Sequence, residues 1–302
     1  MDGILNVNKP SGPTSHDIVA LIRKAAQIKR VGHAGTLDPI ASGVLLVCVG
    51  SATRIVEYLM DWRKSYRATA VFGAETDTED VTGEVIRQTD CSHLTQADLE
   101  AVLPRFTGEI LQTPPMVSAV HHEGRRLYEL ARAGQVVKRE PRPVEIHALN
   151  LVSFTPGRPP IAILDVECSK GTYIRTLCAD IGKALDCGAY MSALTRTAVG
   201  RFRVEDAVSI ATIEQSVDRF DEFLIPMDEA LTEMPEVNVT EEGANRIING
   251  VMLPVEALSK AELPQIGNPV RIKSPGGLVA VGRLCLSKGR VMLKPDKVFA
   301  SQ

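Results

Sequence analysis

Two short stretches of this sequence carry side chains whose types and spacing can do chemistry. The first is Gly32-His33-Ala34-Gly35-Thr36-Leu37-Asp38-Pro39. Gly32 and Gly35 permit tight backbone paths, and Pro39 fixes the chain just after the aspartate, so Asp38 is presented on a stiff loop beside His33. A carboxylate held in this way can serve as a nucleophile or a general base. The same spacing also fits an Asp-Pro turn with no chemistry. The second stretch is Ser169-Lys170-Gly171-Thr172-Tyr173-Ile174-Arg175, where a predicted strand hands over to a predicted helix. An arginine in that first turn can pair with a carboxylate from another loop, and a tyrosine there can stack on a nucleobase. A capping turn with a surface arginine explains these residues too. The sequence contains no Walker-type phosphate loop, no Gly-x-Gly-x-x-Gly and no Gly-x-Ser-x-Gly.

The elements that must position these residues can be read from apolar spacing and turn residues. Ile4-Leu5-Asn6-Val7 is a short apolar run that stops at Pro10 and Gly12. Thr14 or Ser15 can cap a helix whose apolar positions Ile18, Val19, Leu21, Ile22 and Ala25 recur at helical spacing. Val44 to Val49 is apolar and β-branched and reads as a buried strand, followed by helical residues 51–61. Tyr66 to Phe72 alternates as a half-buried strand, and Gly83 marks a turn before a partner strand at 84–86. A helix at 95–107, strands near 144–153 and 161–168, and a helix from Tyr173 to Leu185 complete the pattern. Such interleaving indicates an α+β layer rather than a doubly wound sheet. From about residue 236 the pattern becomes short strands with frequent Gly and Pro, which predicts a small separate β domain.

Composition bounds the function. The chain has 302 residues, 44% hydrophobic and 24% charged, as in soluble globular proteins. It has no apolar run long enough to cross a membrane as a helix and no basic-then-apolar leader, so a cytoplasmic location is expected. The six cysteines never fall in a Cys-x-x-Cys pair, and neither Cys91-Ser92-His93 nor His121-His122 has a second ligand pair, so reduced thiols and no metal are expected. The net charge of −3 argues at first against a nucleic-acid partner. It is unevenly spread, however. Residues 205–242 hold twelve acids against Arg219 alone, whereas residues 269–297 hold seven bases against Asp296 alone. Local basic surfaces, not the sum, decide phosphate binding, although solvated charged faces would give the same counts.

Taken in order, the motifs resemble those of the TruB family, the bacterial tRNA pseudouridine-55 synthases. The carrying stretches are Gly3 to Gly12, Gly32 to Pro39, Lys64-Ser65-Tyr66-Arg67, Thr76-Asp77-Thr78, Pro115 to Ala119, Gly124 to Gly134 and Ser169 to Arg175, over about residues 3–230. The resemblance implies an α+β fold: a pseudouridine synthase mixed-sheet catalytic domain over residues 1–232 and a PUA-like RNA-binding β domain over 233–302. It implies isomerisation of a T-loop uridine without a cofactor, by a monomer that needs no protein partner. Asp38 would be the nucleophile, Tyr66 would lie on the uracil as the leading general base, and Arg175 would pair with Asp38. Tyr173 would shape the pocket, Leu194 would be its apolar wall, and His33 would fill space left by the extruded base. Lys9 would support the loop or the RNA backbone.

Two positions depart from the family pattern. Ala34 stands where Thr is frequent, and Thr195-Arg196 stands where two arginines are usual, which leaves Arg196 for a phosphate contact. The basic stretch with Arg125, Arg126, Arg132, Lys138, Arg139 and Arg142 is expected to grip the T-arm backbone. Two other readings remain at this level: an RNA-binding or folding module, against which the trio Asp38, Tyr66 and Arg175 argues, and a synthase of this fold that serves other RNA.

Overall fold

The computed structural model describes residues 1–118, 120–122, 124–135, 137–258 and 263–299. The side chains of Arg126 and Arg132, and residue Glu123, expected in the basic stretch, lie outside the described set.

The larger layer is a ten-stranded mixed sheet. Its strands are drawn from β1 (Gly3–Lys9), β2 (Val31–His33), β3 (Ser42–Val49), β4 (Lys64–Phe72), β5 (Ala74–Thr76), β6 (Val85–Gln88) and β7 (Gly108–Gln112). There follow β8 (His121–His122), β9 (Arg125–Arg126), β10 (Arg142–Thr155), β11 (Ile161–Cys168), β12 (Ala189–Val199), β13 (Phe202–Arg203) and β14 (Val208–Ser209). The order is β14-β1-β3-β12-β4-β11-β10-β7, with β2 beside β3 and β13 beside β12, while β5–β6 and β8–β9 form two separate hairpins. Most pairs are antiparallel. The exceptions are β1 with β14 and, at the centre, β3 with β12, whose contact is limited to Thr195 beside Ser42 and Arg196 beside Gly43. That short parallel junction is where the loop carrying Asp38 enters the sheet.

Strand β12 supplies the middle of the sheet, yet its period-two alternation is hard to see in sequence. Two register shifts against β4, between Met191 and Ala193 and between Arg196 and Ala198, break it. The helix Ser15–Ala26 starts at a capping box made by Thr14 and Asp17 and packs Ile18, Val19 and Ile22 against β1 and β3. The helix Ile174–Ala184 packs Ile174, Leu177, Cys178 and Ile181 into the largest apolar cluster, which lies under β4, β11 and β12. The acidic segment forms short helical turns rather than one helix, with a strand residue pair at Val208–Ser209.

Residues 236–298 form a second, five-stranded sheet of β15 (Glu236–Asn238), β16 (Leu253–Pro254), β17 (Pro269–Ser274), β18 (Gly277–Ser287) and β19 (Arg290–Val298), in the order β15-β17-β18-β19-β16. A helix, Glu241–Ile248, capped by Thr240, packs on it through Ala244 and Ile247, so this part is not built of strands alone. The two sheets are joined firmly. Val281 and Phe299 share an apolar cluster with Ile55, Leu59 and Leu231. Arg271 and Lys273 of β17 both bond Asp228, at 2.7 Å each, and both pair with Glu236. Two of the tail's seven bases, Arg271 and Lys273, therefore neutralise the acidic segment instead of facing solvent.

Candidate active site

The loop that carries Asp38 is fixed at both ends by buried cations. Lys9, with no exposed surface, donates to the carbonyls of Pro10 (2.9 Å), Pro39 (3.4 Å) and Ala41 (2.7 Å). Arg196, 1% exposed, donates Nε to the Val44 carbonyl (2.7 Å), Nη1 to Thr36 (3.4 Å) and Nη2 to Gly35 (3.2 Å). Ser15 exchanges two bonds with the Leu37 backbone through its hydroxyl. Gly43 is required at the junction: its φ is +101°, and a Cβ there would lie 2.2 Å from the Arg196 carbonyl oxygen.

These contacts correct the expectation for Arg196 and narrow the one for Lys9 to its loop alternative. Arg196 is not free for an RNA phosphate, because its guanidinium is sealed in the sheet and spent on backbone carbonyls. Lys9 likewise supports the loop and has no surface to offer RNA. A cation buried this deeply persists because several carbonyl oxygens replace its hydration. Burial still pushes the Lys9 ammonium below its ordinary pKa, with the Asp38 carboxylate opposing.

Asp38 is met from the far side by Arg175, in the first turn of the helix Ile174–Ala184. Arg175 Nη2 lies 3.1 Å from Asp38 Oδ2 and 3.3 Å from Oδ1, and also donates to the Val117 carbonyl at 2.9 Å. Its Nη1 lies 3.4 Å from Asp80 Oδ2. The arginine side chain is 5% exposed and that of Asp38 35%, so the pair is buried on one side and open on the other. Helix entry is set by Gln112, whose amide bonds both the N–H and the carbonyl of Tyr173.

Asp80 was not anticipated from sequence. It is 4% exposed and held by the Thr78 hydroxyl (2.8 Å) and by the Thr82 N–H (2.9 Å) and hydroxyl (2.5 Å). It anchors the second arm of the guanidinium. The polar run Thr76-Asp77-Thr78-Glu79-Asp80 was the available signal, but only the fold places it against a helix 95 residues away.

Sharing one guanidinium between two carboxylates has a consequence for Asp38. Burial pushes its carboxyl above the ordinary aspartate value. Arg175 pulls it down, Asp80 adds to the rise, and Lys9 pulls down. The net direction is upward, so Arg175 only partly offsets the desolvation of the carboxylate it orients.

Tyr66, on β4, is half-buried against the cluster containing Leu37, Ile40, Ala68 and Leu194. Burial pushes its phenol up, opposed by the charge of Arg196 and by a hydrogen bond to it, while Cys168 and Asp38 add to the rise. Tyr66 is thus a neutral phenol within electrostatic reach of Asp38 and Arg196. Leu194, 8% exposed, sits on β12 opposite Ala68 in the same apolar wall. His33 ends β2, and its Nδ1 is buried with no partner among the described residues. Burial, Arg196 and His16 keep His33 neutral. Tyr173 faces a small cavity of about 120 Å³ with Gln112, Pro114, Arg142 and Lys170, which neither Asp38 nor Arg175 lines. A cavity of about 480 Å³ lies elsewhere and includes none of these residues.

An ion-paired, half-open aspartate with an apolar wall and a phenol, at the centre of a mixed sheet, fits the family to which this sequence is similar. Residues 23–174 match the family model described as TruB family pseudouridylate synthase (N terminal domain), and residues 175–232 match the tRNA pseudouridylate synthase B C-terminal domain. Fold and site together therefore define a pseudouridylate synthase, an isomerase that converts uridine into pseudouridine.

The relatives agree. A protein named tRNA pseudouridine synthase B from Symbiobacterium thermophilum is 51% identical over 83% of each chain. Its namesake from Pelotomaculum thermopropionicum is 42% identical over 100% of this chain and 98% of its own. Among solved structures, a Cbf5-Nop10-Gar1 complex matches with a TM-score of 0.76 at 28% identity, covering 99% of this chain and 85% of that one. A structure of an H/ACA RNP bound to a substrate RNA containing 2′-deoxyuridine matches with a TM-score of 0.75 at 26% identity and the same coverage. This chain belongs to the TruB family of pseudouridylate synthases.

Proposed function

We propose that the protein isomerises the T-loop uridine at position 55 of tRNA, using Asp38 as nucleophile and no cofactor. The observation that carries this reading is the Arg175 guanidinium 3.1 Å from an Asp38 carboxylate that keeps one side open. The arginine fixes the direction of the carboxylate, and the open side can meet C1′ of an extruded nucleotide. Relatives named tRNA pseudouridine synthase B, at 42–51% identity, favour tRNA as the substrate over a guide-RNA complex.

The reaction gains and loses no atoms. Asp38 Oδ adds to C1′ as the electrons of the N1–C1′ bond pass to the uracil; alternatively, Asp38 takes the 2′ proton as that bond breaks, giving a glycal, and returns it to C2′ when C5 joins C1′. The released ring turns, C5 bonds C1′, and the carboxylate is freed if it was attached. The C5 proton then leaves and N1 ends protonated. We assign to Tyr66 the role of accepting the C5 proton, and the charge of Arg196, which pulls the phenol pKa down, offsets a transient phenolate. Leu194 and Leu37 exclude water that would otherwise trap C1′. His33, neutral and at the loop, fills space vacated by the base, offsetting part of the unstacking cost of a few kcal/mol. Tyr173 borders the pocket beside Arg175.

Residues 1–232 act as the catalytic domain and 233–302 as a PUA-like RNA-binding domain, in a monomer that requires no protein partner. An unmodified tRNA transcript incubated with the protein tests the substrate assignment. Pseudouridine mapped by carbodiimide-dependent reverse-transcription stops should appear at position 55 and be absent when that uridine is replaced by cytidine. Modification elsewhere only, or none, would refute it.

A further inference from the structure

The cavity of about 480 Å³ lies between the end of β4, the segment from Gln88 to Ser92, and the loop Arg158 to Pro160. Cys91 is in its wall. The Cys91 thiol donates to the Cys187 carbonyl oxygen at 3.6 Å, which brings the two cysteines into direct contact, and each thiol lies within electrostatic reach of the other. Both belong to the main apolar cluster, at 2% and 1% exposure, although 96 residues separate them in sequence. Backbone bonds fix both sides of the meeting. Thr89 N–H donates to the Gly73 carbonyl (2.9 Å), Gly73 N–H to Gly188 (3.0 Å), and Cys187 N–H to Gly182 (3.0 Å).

We propose that Cys91 and Cys187 are an oxidisable pair that closes to a disulfide with a two-electron oxidant of the peroxide class. Cys91 is the entry thiol, because of the two it is the one that borders the cavity. One peroxide oxygen passes to its sulfur, giving a sulfenic acid and one water. The Cys187 sulfur then attacks that sulfur; the S–S bond forms, and the hydroxyl leaves with the Cys187 proton as a second water. The Cys187 thiol is pushed up to about 12, by burial first and by its neighbour next, so it stays protonated until it is attacking. Cys48 and Cys178 are likewise pushed up to about 12, by burial rather than by a second thiol. Cys285 is half-exposed on β18 and reacts independently.

The bond would tie two parts of the site together. The excursion from Gly73 to Cys91 carries Asp80, and the turn at Cys187 joins the helix of Arg175 to the strand of Leu194 and Arg196. Closing so long a loop restricts the unfolded chain strongly.

The test uses the full chain with Cys285→Ser, treated with hydrogen peroxide, alkylated, digested and analysed by mass spectrometry. A peptide linking Cys91 to Cys187 is expected, with a loss of about 2 Da that dithiothreitol reverses. Tm should rise by about 5 °C or more. A companion Cys91→Ser change should abolish the link. Recovery of both cysteines as alkylated thiols, or of Cys91 as a sulfinic acid without the link, overturns the proposal. Should a variant fail to fold, peptide mapping of the unsubstituted chain distinguishes the same outcomes.

Discussion

At the scale of single residues, Asp38 is a carboxylate that the fold orients but does not fully compensate. Its raised pKa sets the sign of two effects. A nucleophile must be ionised, so the acid limb of single-turnover rate against pH should fall above the ordinary aspartate value. Asp80→Asn removes a like charge, which should move that limb to lower pH while lowering the plateau by about 10- to 100-fold, because Arg175 loses an anchor. An unmoved limb would separate Asp80 from Asp38. For stability, the native state holds the extra proton between the unfolded and folded pKa, so the contribution of Asp38 to stability is lost as pH rises through that window. At neutral pH Asp38→Asn should leave Tm equal or higher, read by calorimetry; a clear fall would mean that the carboxylate stabilises the fold. The sequence made Asp38 and Arg175 legible as chemistry, each with an alternative that only their meeting removes. It did not reveal Asp80, whose role exists only through a contact across 95 residues.

At the scale of elements, the parallel junction of β3 and β12 is the feature on which the loop depends. Arg196 is its key member, and it shows how residue type can mislead. An arginine near an RNA site reads as a phosphate ligand, but this one is turned inward to two loop carbonyls, Gly35 and Thr36, and to the Val44 carbonyl of β3. Replacing it by lysine keeps the charge and loses the planar fork. Arg196→Lys should lower stability by about 2–3 kcal/mol and reduce the rate of chemistry further than the stability loss explains. Denaturant melts beside single-turnover rates at saturating RNA would show this, and an unaffected rate would deny the loop its dependence on Arg196. Gly43→Ala should destabilise by more than about 2 kcal/mol, given its positive φ and the carbonyl a methyl would strike. Strand β4, the helix Ile174–Ala184 and the apolar strand β3 were legible from periodicity. Strand β12 and the helix Glu241–Ile248 were not, the first because bulges interrupt its alternation, the second because it is short among strands.

At the scale of the whole molecule, the uneven charge serves two ends. Arg271 and Lys273 pair with Asp228 and Glu236, Arg283 with Asp296, and Lys297 with Glu57, fixing the smaller sheet and docking it to the larger. Lys288, Arg290 and Lys294 stay exposed to solvent. In the basic stretch, Arg125 and Arg142 are exposed, whereas Arg139 is tied to the Pro114 carbonyl. Charge counts in sequence could not separate these groups, since pairing depends on which strands become neighbours. Reversing Arg125 and Arg142 to glutamate should weaken RNA binding and reduce the salt slope by about one for each phosphate no longer neutralised, leaving single-turnover chemistry nearly unchanged. Binding isotherms over a range of salt concentrations would check this; an unchanged slope would mean that RNA lies elsewhere.

The most direct measurement of the central claim is tritium release from tRNA carrying uridine labelled at C5. The unsubstituted protein should release label in proportion to the pseudouridine formed. Asp38→Asn should release essentially none while binding the same RNA with similar affinity. Release by Asp38→Asn at a rate near that of the unsubstituted protein would contradict the assignment of the carboxylate, whatever the rest of the fold supports.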